Sequence, residues 1–136
     1  MRTRFILFSI LGTIVLNGCG SGDHDREQKN VVIEIIGKKV DLEKKIATYT
    51  VYTNSNMYSD TELLLHYSDS LKQGMDYVAI GYFDLKEETP QVSDKYTIPL
   101  DKQEHLFAIF RPEYPENINY KLVYTDYGKQ INEKVK

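Results

Sequence analysis

The chain has 136 residues with 17 Lys+Arg and 20 Asp+Glu, which gives a formal net charge of −3 at pH 7. This acidic balance argues against holding nucleic acid or anionic headgroups by charge. Cys19 is the single cysteine, so no intramolecular disulfide can form and the fold must rely on its own core.

The first residues predict an export signal. Arg2 and Arg4 form a cationic head, and residues 5–16 are mostly apolar. Twelve residues make only ~18 Å of helix, whereas a bilayer core is ~30 Å thick. We therefore interpret this run as a signal and not as a membrane span.

The junction Leu16-Asn17-Gly18-Cys19 resembles the lipobox of bacterial lipoproteins. In that family a small residue precedes an invariant cysteine, which receives a diacylglyceryl thioether before the signal is cut off. Asn17 departs from the pattern, since the family more often has Ala, Ser, Thr or Val there. The resemblance implies a signal peptide over residues 1–18, lipidation of Cys19, and a membrane-anchored protein on the extracytoplasmic face of the cell membrane. Two acyl chains give stable anchoring.

Residues 19–30 begin with the lipidated cysteine and continue as a polar tether of mixed charge. Eleven residues reach at most ~36–40 Å, so the tether would keep the domain close to the membrane. Loss of the signal removes two arginines and leaves 15 basic against 20 acidic residues, a formal charge of −5. Residues 31–136 suit a single extracytoplasmic domain.

Strand patterns dominate the first part of this domain. Residues 31–36 and 46–53 are rich in β-branched and aromatic side chains, and a charged turn is expected over residues 38–45. Residues 61–74 could form a strand or a helix. Ser59 and Glu62 have the spacing of a capping box and Gly74 is a typical stop, which favours the helix.

The remaining elements are also mostly strands. We expect strands at residues 76–83, 105–110 and 120–125, with a short edge strand at 96–100. Loops are predicted at residues 84–94 and 111–117, the second made rigid by two prolines. A hairpin turn at residues 126–129 would lead into a last strand at 130–135.

These elements predict an α+β fold, mainly an antiparallel sheet with one helix packed on a face. The alternative, if residues 61–74 are a strand, is an all-β immunoglobulin-like sandwich.

The sequence offers little catalytic chemistry. His66 and His105 are the only histidines of the domain, no nucleophile elbow occurs, and no metal-ligand spacing is present. We therefore expect neither an enzyme nor a bound metal or cofactor.

Tyrosine is the unusual component, with 11 in the chain. Tyr58, Tyr114 and Tyr127 fall in predicted loops, where strand packing does not account for them. Tyr114 is joined in its loop by Arg111, and tyrosine and arginine are both common in binding hot spots. These four residues are the candidate partner-binding positions.

We therefore expect a non-enzymatic lipoprotein that binds another membrane or envelope protein. In size and layout it is similar to the exclusion and accessory lipoproteins of conjugative elements and secretion systems. The alternative is a surface lipoprotein that binds a small ligand or glycan.

Overall fold

The computed structural model describes residues 30–98, 103–113 and 119–135. Within them lie five strands and two α-helices, in chain order β1 (Ile33–Asp41), β2 (Ile46–Thr53), α1 (Thr61–Lys72), β3 (Tyr77–Phe83), β4 (Leu106–Pro112), β5 (Tyr120–Tyr124) and α2 (Asp126–Glu133). Short 3₁₀ turns at Tyr58–Asp60 and Lys86–Glu88 precede α1 and follow β3. The predicted α+β class is confirmed, with two helices where one was expected.

The strands form one sheet in sequence order, β1-β2-β3-β4-β5. Strands β2 and β3 pair in parallel, and every other neighbouring pair is antiparallel. Parallel strands need a long crossover, and α1 supplies it between β2 and β3. The helix predicted over residues 61–74 is confirmed, so the condition for the immunoglobulin-like alternative is not met.

The core lies between α1 and one face of the sheet. Leu64 and Ser68, one helical turn apart, are fully buried on α1. The Ser68 hydroxyl lies 2.6 Å from the phenol oxygen of Tyr82, which is also fully buried. Burial raises the pKa of Tyr82, so its phenol keeps its proton and this polar pair is satisfied within the core.

The opposite face of β1, β2 and β3 is covered by residues 84–98. Thr48 and Thr50 of β2 donate from their hydroxyls to the carbonyls of Tyr96 and Pro90. Thr89 in this segment is buried. The predicted loop at residues 84–94 is thus packed against the sheet, which explains why β2 is buried on both faces.

Several predicted boundaries were wrong. Strand β1 continues through Gly37 to Asp41, because Lys38, Lys39 and Val40 pair with β2 across a register shift. The predicted turn begins only after Asp41, whose carboxylate accepts hydrogen bonds from the backbone N–H groups of Glu43 and Lys44.

The caps of α1 also differ in part from expectation. Asp60 is the N-cap residue and no side chain caps this end, so the Ser59 capping box does not form. The predicted stop is present, since Gly74 has φ +77°, a left-handed conformation that favours glycine.

The C-terminal prediction was wrong as well, because residues 126–133 form α2 instead of a turn and strand. Thr125 is its N-cap and accepts a hydrogen bond from the Gly128 N–H at 3.1 Å. The same hydroxyl donates to the Leu106 carbonyl at 2.6 Å, which ties the start of α2 to β4.

Two other predicted segments fall partly outside the described residues. Residues 96–98 are not a strand, and residues 99 and 100 lie beyond the description. Of the predicted loop at 111–117, Arg111 and Pro112 belong to β4, while residues 114–117 are not described.

Candidate functional site

The candidate site lies where β2 and β3 end. Because these strands are parallel, their carboxyl ends meet at one end of the sheet, with Tyr52 opposite Phe83. Ligands of α/β sheets commonly bind beyond the carboxyl ends of parallel strands. Residues 54–58 follow β2 here, Asp84 follows β3, and α2 packs beside β4.

Asp84 is the centre of this site. Its carboxylate accepts hydrogen bonds from Asn56 Nδ2 at 3.1 Å and from the Tyr127 hydroxyl at 2.7 Å, both on Oδ2. The other oxygen, Oδ1, lies 3.1 Å from His105 Nδ1. The Asp84 side chain is only 10% exposed, so these donors replace the water that a carboxylate would otherwise bind.

Tyr127 is held as a hydrogen-bond donor. Burial, together with the hydrogen bond to Asp84 and its negative charge, raises the pKa of Tyr127 to about 12. The phenol is therefore protonated at neutral pH. Its ring also meets the edge of the His105 ring, with centroids 5.7 Å apart.

His105 is oriented by the same carboxylate. When Nδ1 carries the proton and donates to Asp84, Nε2 is left as the acceptor of the ring. The side chain is 31% exposed. This arrangement holds an imidazole in one orientation, which suits polar recognition of a partner.

Tyr58 adds an exposed aromatic side chain to the site. Its ring packs edge-on against Tyr124 with centroids 4.6 Å apart, and its backbone N–H donates to Asn132 Oδ1 at 2.7 Å. Tyr58 is nevertheless 46% exposed. A large side chain fixed in this way loses little entropy on binding.

Asn132 is a structural residue of the site that the sequence interpretation missed. It is 6% exposed, and its Nδ2 donates to the carbonyls of Asn56 and Gly128. It thereby fastens α2 to the segment after β2. The spacing of Tyr127 and Ile131, which both pack against the core, is the helical signal that would have placed Asn132 in a helix.

The candidate residues do not form one group. Tyr58 and Tyr127 lie in the site around Asp84. Arg111 is exposed near the end of β4, far along the sheet, where it pairs with Lys121 of β5. Tyr114 and Cys19 lie outside the described residues.

The two histidines of the domain also lie in different parts of the fold. His105 belongs to the site, whereas His66 is exposed on α1. No group of three His, Cys, Asp or Glu side chains arranged to hold a metal ion occurs in residues 30–98, 103–113 and 119–135. Among the helices of those residues, none is long and apolar enough to cross a membrane.

Comparison with protein-family models, curated proteins and solved structures finds no significant match to this chain.

Proposed function

We propose that this protein is a lipid-anchored extracytoplasmic lipoprotein that acts without catalysis by binding another envelope protein. The lipobox-like sequence ending at Cys19 supports the anchor. We further propose that binding uses the tether-end cluster, which we define as Tyr58, Asp84, His105 and Tyr127. Within this class, size and layout favour an exclusion or accessory lipoprotein of a conjugative element or secretion system.

The observation that carries this proposal is the position of the cluster relative to the tether. Asn54 accepts a hydrogen bond from the Val32 N–H at 2.9 Å and donates to the Asn30 carbonyl at 2.7 Å. The residues that adjoin the tether are thus fastened to the segment that carries Tyr58. If Cys19 is lipidated, this end of the domain stays within ~40 Å of the bilayer, where a membrane protein can be contacted.

The chemistry of the cluster supports protein recognition. It presents an exposed tyrosine fixed by aromatic packing and an imidazole held by a buried carboxylate. Rigid aromatic groups surrounded by satisfied polar groups are typical of binding hot spots.

Site-specific photocrosslinking in intact cells tests this proposal. A photoreactive phenylalanine analogue would replace Tyr58 in one full-length variant and Tyr77 in a matched control. Tyr77 is 39% exposed and begins β3 at the other end of the sheet. We expect a crosslink to a membrane protein from position 58 only, and its loss when Cys19→Ser is added. Equal crosslinking from both positions, or none from position 58, would reject the proposal.

A further inference from the structure

The two edges of the sheet differ in the contacts that they make with the rest of the described residues. At the β1 edge, the side chain of Gln91 donates to the Ile36 carbonyl at 2.8 Å. Two ion pairs, Lys86 with Glu34 and Lys39 with Asp94, also join residues 84–98 to β1. Strand β5 forms the other edge and pairs only with β4 among the described residues. An edge strand that is paired on one side only can accept another strand.

The side chains beside the β5 edge form a small surface of defined chemistry. Phe110 and Leu122 pack in the core, so their neighbours on β4 and β5 point to the opposite face. We call this surface the β4–β5 outer face, and it consists of Ile109, Arg111, Lys121 and Val123. Ile109 pairs with Val123, which is 44% exposed. The hydrogen bonds and ion pairs that join residues 85–98 to the sheet are made with β1 and β2 instead.

This face carries an unfavourable charge arrangement. Arg111 and Lys121 are direct cross-strand partners, and like charges placed opposite each other destabilise a sheet. The charge of Lys121 is partly offset by Glu113, because the Glu113 carboxylate lies 2.8 Å from Lys121 Nζ. Arg111 has no ion pair among the described residues. Two basic groups thus meet on a domain whose net charge is negative, and an acidic partner would complement them.

We propose that the β5 edge binds an extended acidic segment of a partner protein by strand addition. This inference rests on the proposed protein-binding role but not on the tether-end cluster. In an added strand, alternate side chains lie on one face. The residue beside Val123 would be apolar and the residue beside Lys121 acidic, so the segment carries these two types two positions apart. A second copy of this chain fits less well, because it would bring another Lys121 and Arg111 to the same edge.

Selection of short random peptides against the full-length protein in detergent micelles tests this inference. We expect enriched peptides to have acidic and apolar residues two positions apart. Synthetic versions should bind with affinity reduced about tenfold by Lys121→Glu. Lys129→Glu, a charge reversal on exposed α2, is the matched control and should leave affinity unchanged. A peptide with lysine in place of its acidic residue should recover binding to the Lys121→Glu variant.

Hydrogen exchange of the same complexes reports where the peptide lies. We expect new protection of the amides of β5, and circular dichroism would show that both variants are folded. Peptides without the pattern, equal binding to Lys121→Glu, or protection confined to the tether-end cluster would overturn the inference. Self-association with protection of β5 would overturn it too, since the occupant would then be a second copy. The Tyr58 crosslink is independent of these results, so each proposal can fail alone.

Discussion

Asp84 and His105 are joined by both backbone and side chains. The Asp84 N–H donates to the His105 carbonyl at 3.2 Å, and His105 Nδ1 lies 3.1 Å from Asp84 Oδ1. The end of β3 and the start of β4 are thus fixed to each other. The same carboxylate accepts hydrogen bonds from Asn56 and Tyr127. Asp84 therefore also connects the segment after β2 with α2.

Asp84→Ala should destabilise the domain. It would leave the Asn56, His105 and Tyr127 donors without their shared acceptor, and an unsatisfied buried group costs about 1–3 kcal/mol. Chemical denaturation of the full-length protein measures the change in free energy of unfolding. Asp94→Ala is the control, since the Asp94 side chain is fully exposed and its ion pair with Lys39 is worth little. Equal losses for both variants would contradict the central role of Asp84.

Gly128→Ala should also destabilise the domain, by a different mechanism. A Cβ at this position would collide with the carbonyl oxygen of Phe107, so α2 could not pack closely on β4. Overpacking of this kind costs about 1–3 kcal/mol. Thermal unfolding would measure the loss, with exposed Lys129→Ala as the neighbouring control. An unchanged melting temperature for Gly128→Ala would show that α2 is not packed in this way.

Alkaline pH should weaken the domain partly through Tyr127. Burial and the hydrogen-bonded Asp84 carboxylate raise the pKa of Tyr127 to about 12, whereas an unfolded tyrosine has a pKa of ~10. The stabilising contribution is complete below about pH 10 and is lost as the pH rises through about 12. The free energy of unfolding should therefore fall more steeply over this range in the natural protein than in Tyr127→Phe. If the free energy of unfolding falls equally with pH in both proteins, the titration of Tyr127 does not contribute to the loss of stability.

Tyr58→Ala should weaken capture of the envelope partner by about tenfold, or ~1.4 kcal/mol. The substitution removes an exposed ring and its edge contact with Tyr124, which contributes about 0.5–1.5 kcal/mol to stability. Quantitative crosslinking from a neighbouring position measures capture, and denaturation separates it from stability. Tyr77→Ala is the aromatic control and should leave capture intact. Undiminished capture by Tyr58→Ala would move the binding surface elsewhere.

Cys19→Ser tests the anchor predicted from the sequence. If the lipobox resemblance is correct, the variant should lose all labelling by radioactive fatty acid and should stay unprocessed or leave the membrane fraction. Labelling of the natural protein provides the positive control. Labelling that persists in Cys19→Ser would show that the lipid is attached to another residue, which would contradict the predicted anchor.

Local sequence patterns were sufficient for most of the sheet and for α1. The β-branched residues of β2 favour strand by their own preferences, and the leucines at 63–65 with Gly74 after them favour a helix that ends there. The α+β class followed from these patterns. The predicted lipobox resemblance at Leu16-Asn17-Gly18-Cys19 also depends only on sequence, because it rests on adjacent residues.

Tertiary packing decided where α2 lies and how the candidate site forms. The Thr125 cap and the spacing of Tyr127 and Ile131 are local signals for this helix. Its position on β4 depends on the hydrogen bond from the Thr125 hydroxyl to the Leu106 carbonyl and on the close approach that Gly128 allows, and neither contact is visible in a local pattern. Tyr127 was selected from the sequence as an exposed loop residue, but it donates to Asp84, 43 residues earlier in the chain. That contact exists because β3 pairs antiparallel with β4 and β4 with β5, which brings the end of β3 and the start of α2 to the same end of the sheet. Residue preferences act over a few neighbours, whereas this site depends on the register of strands far apart in the chain.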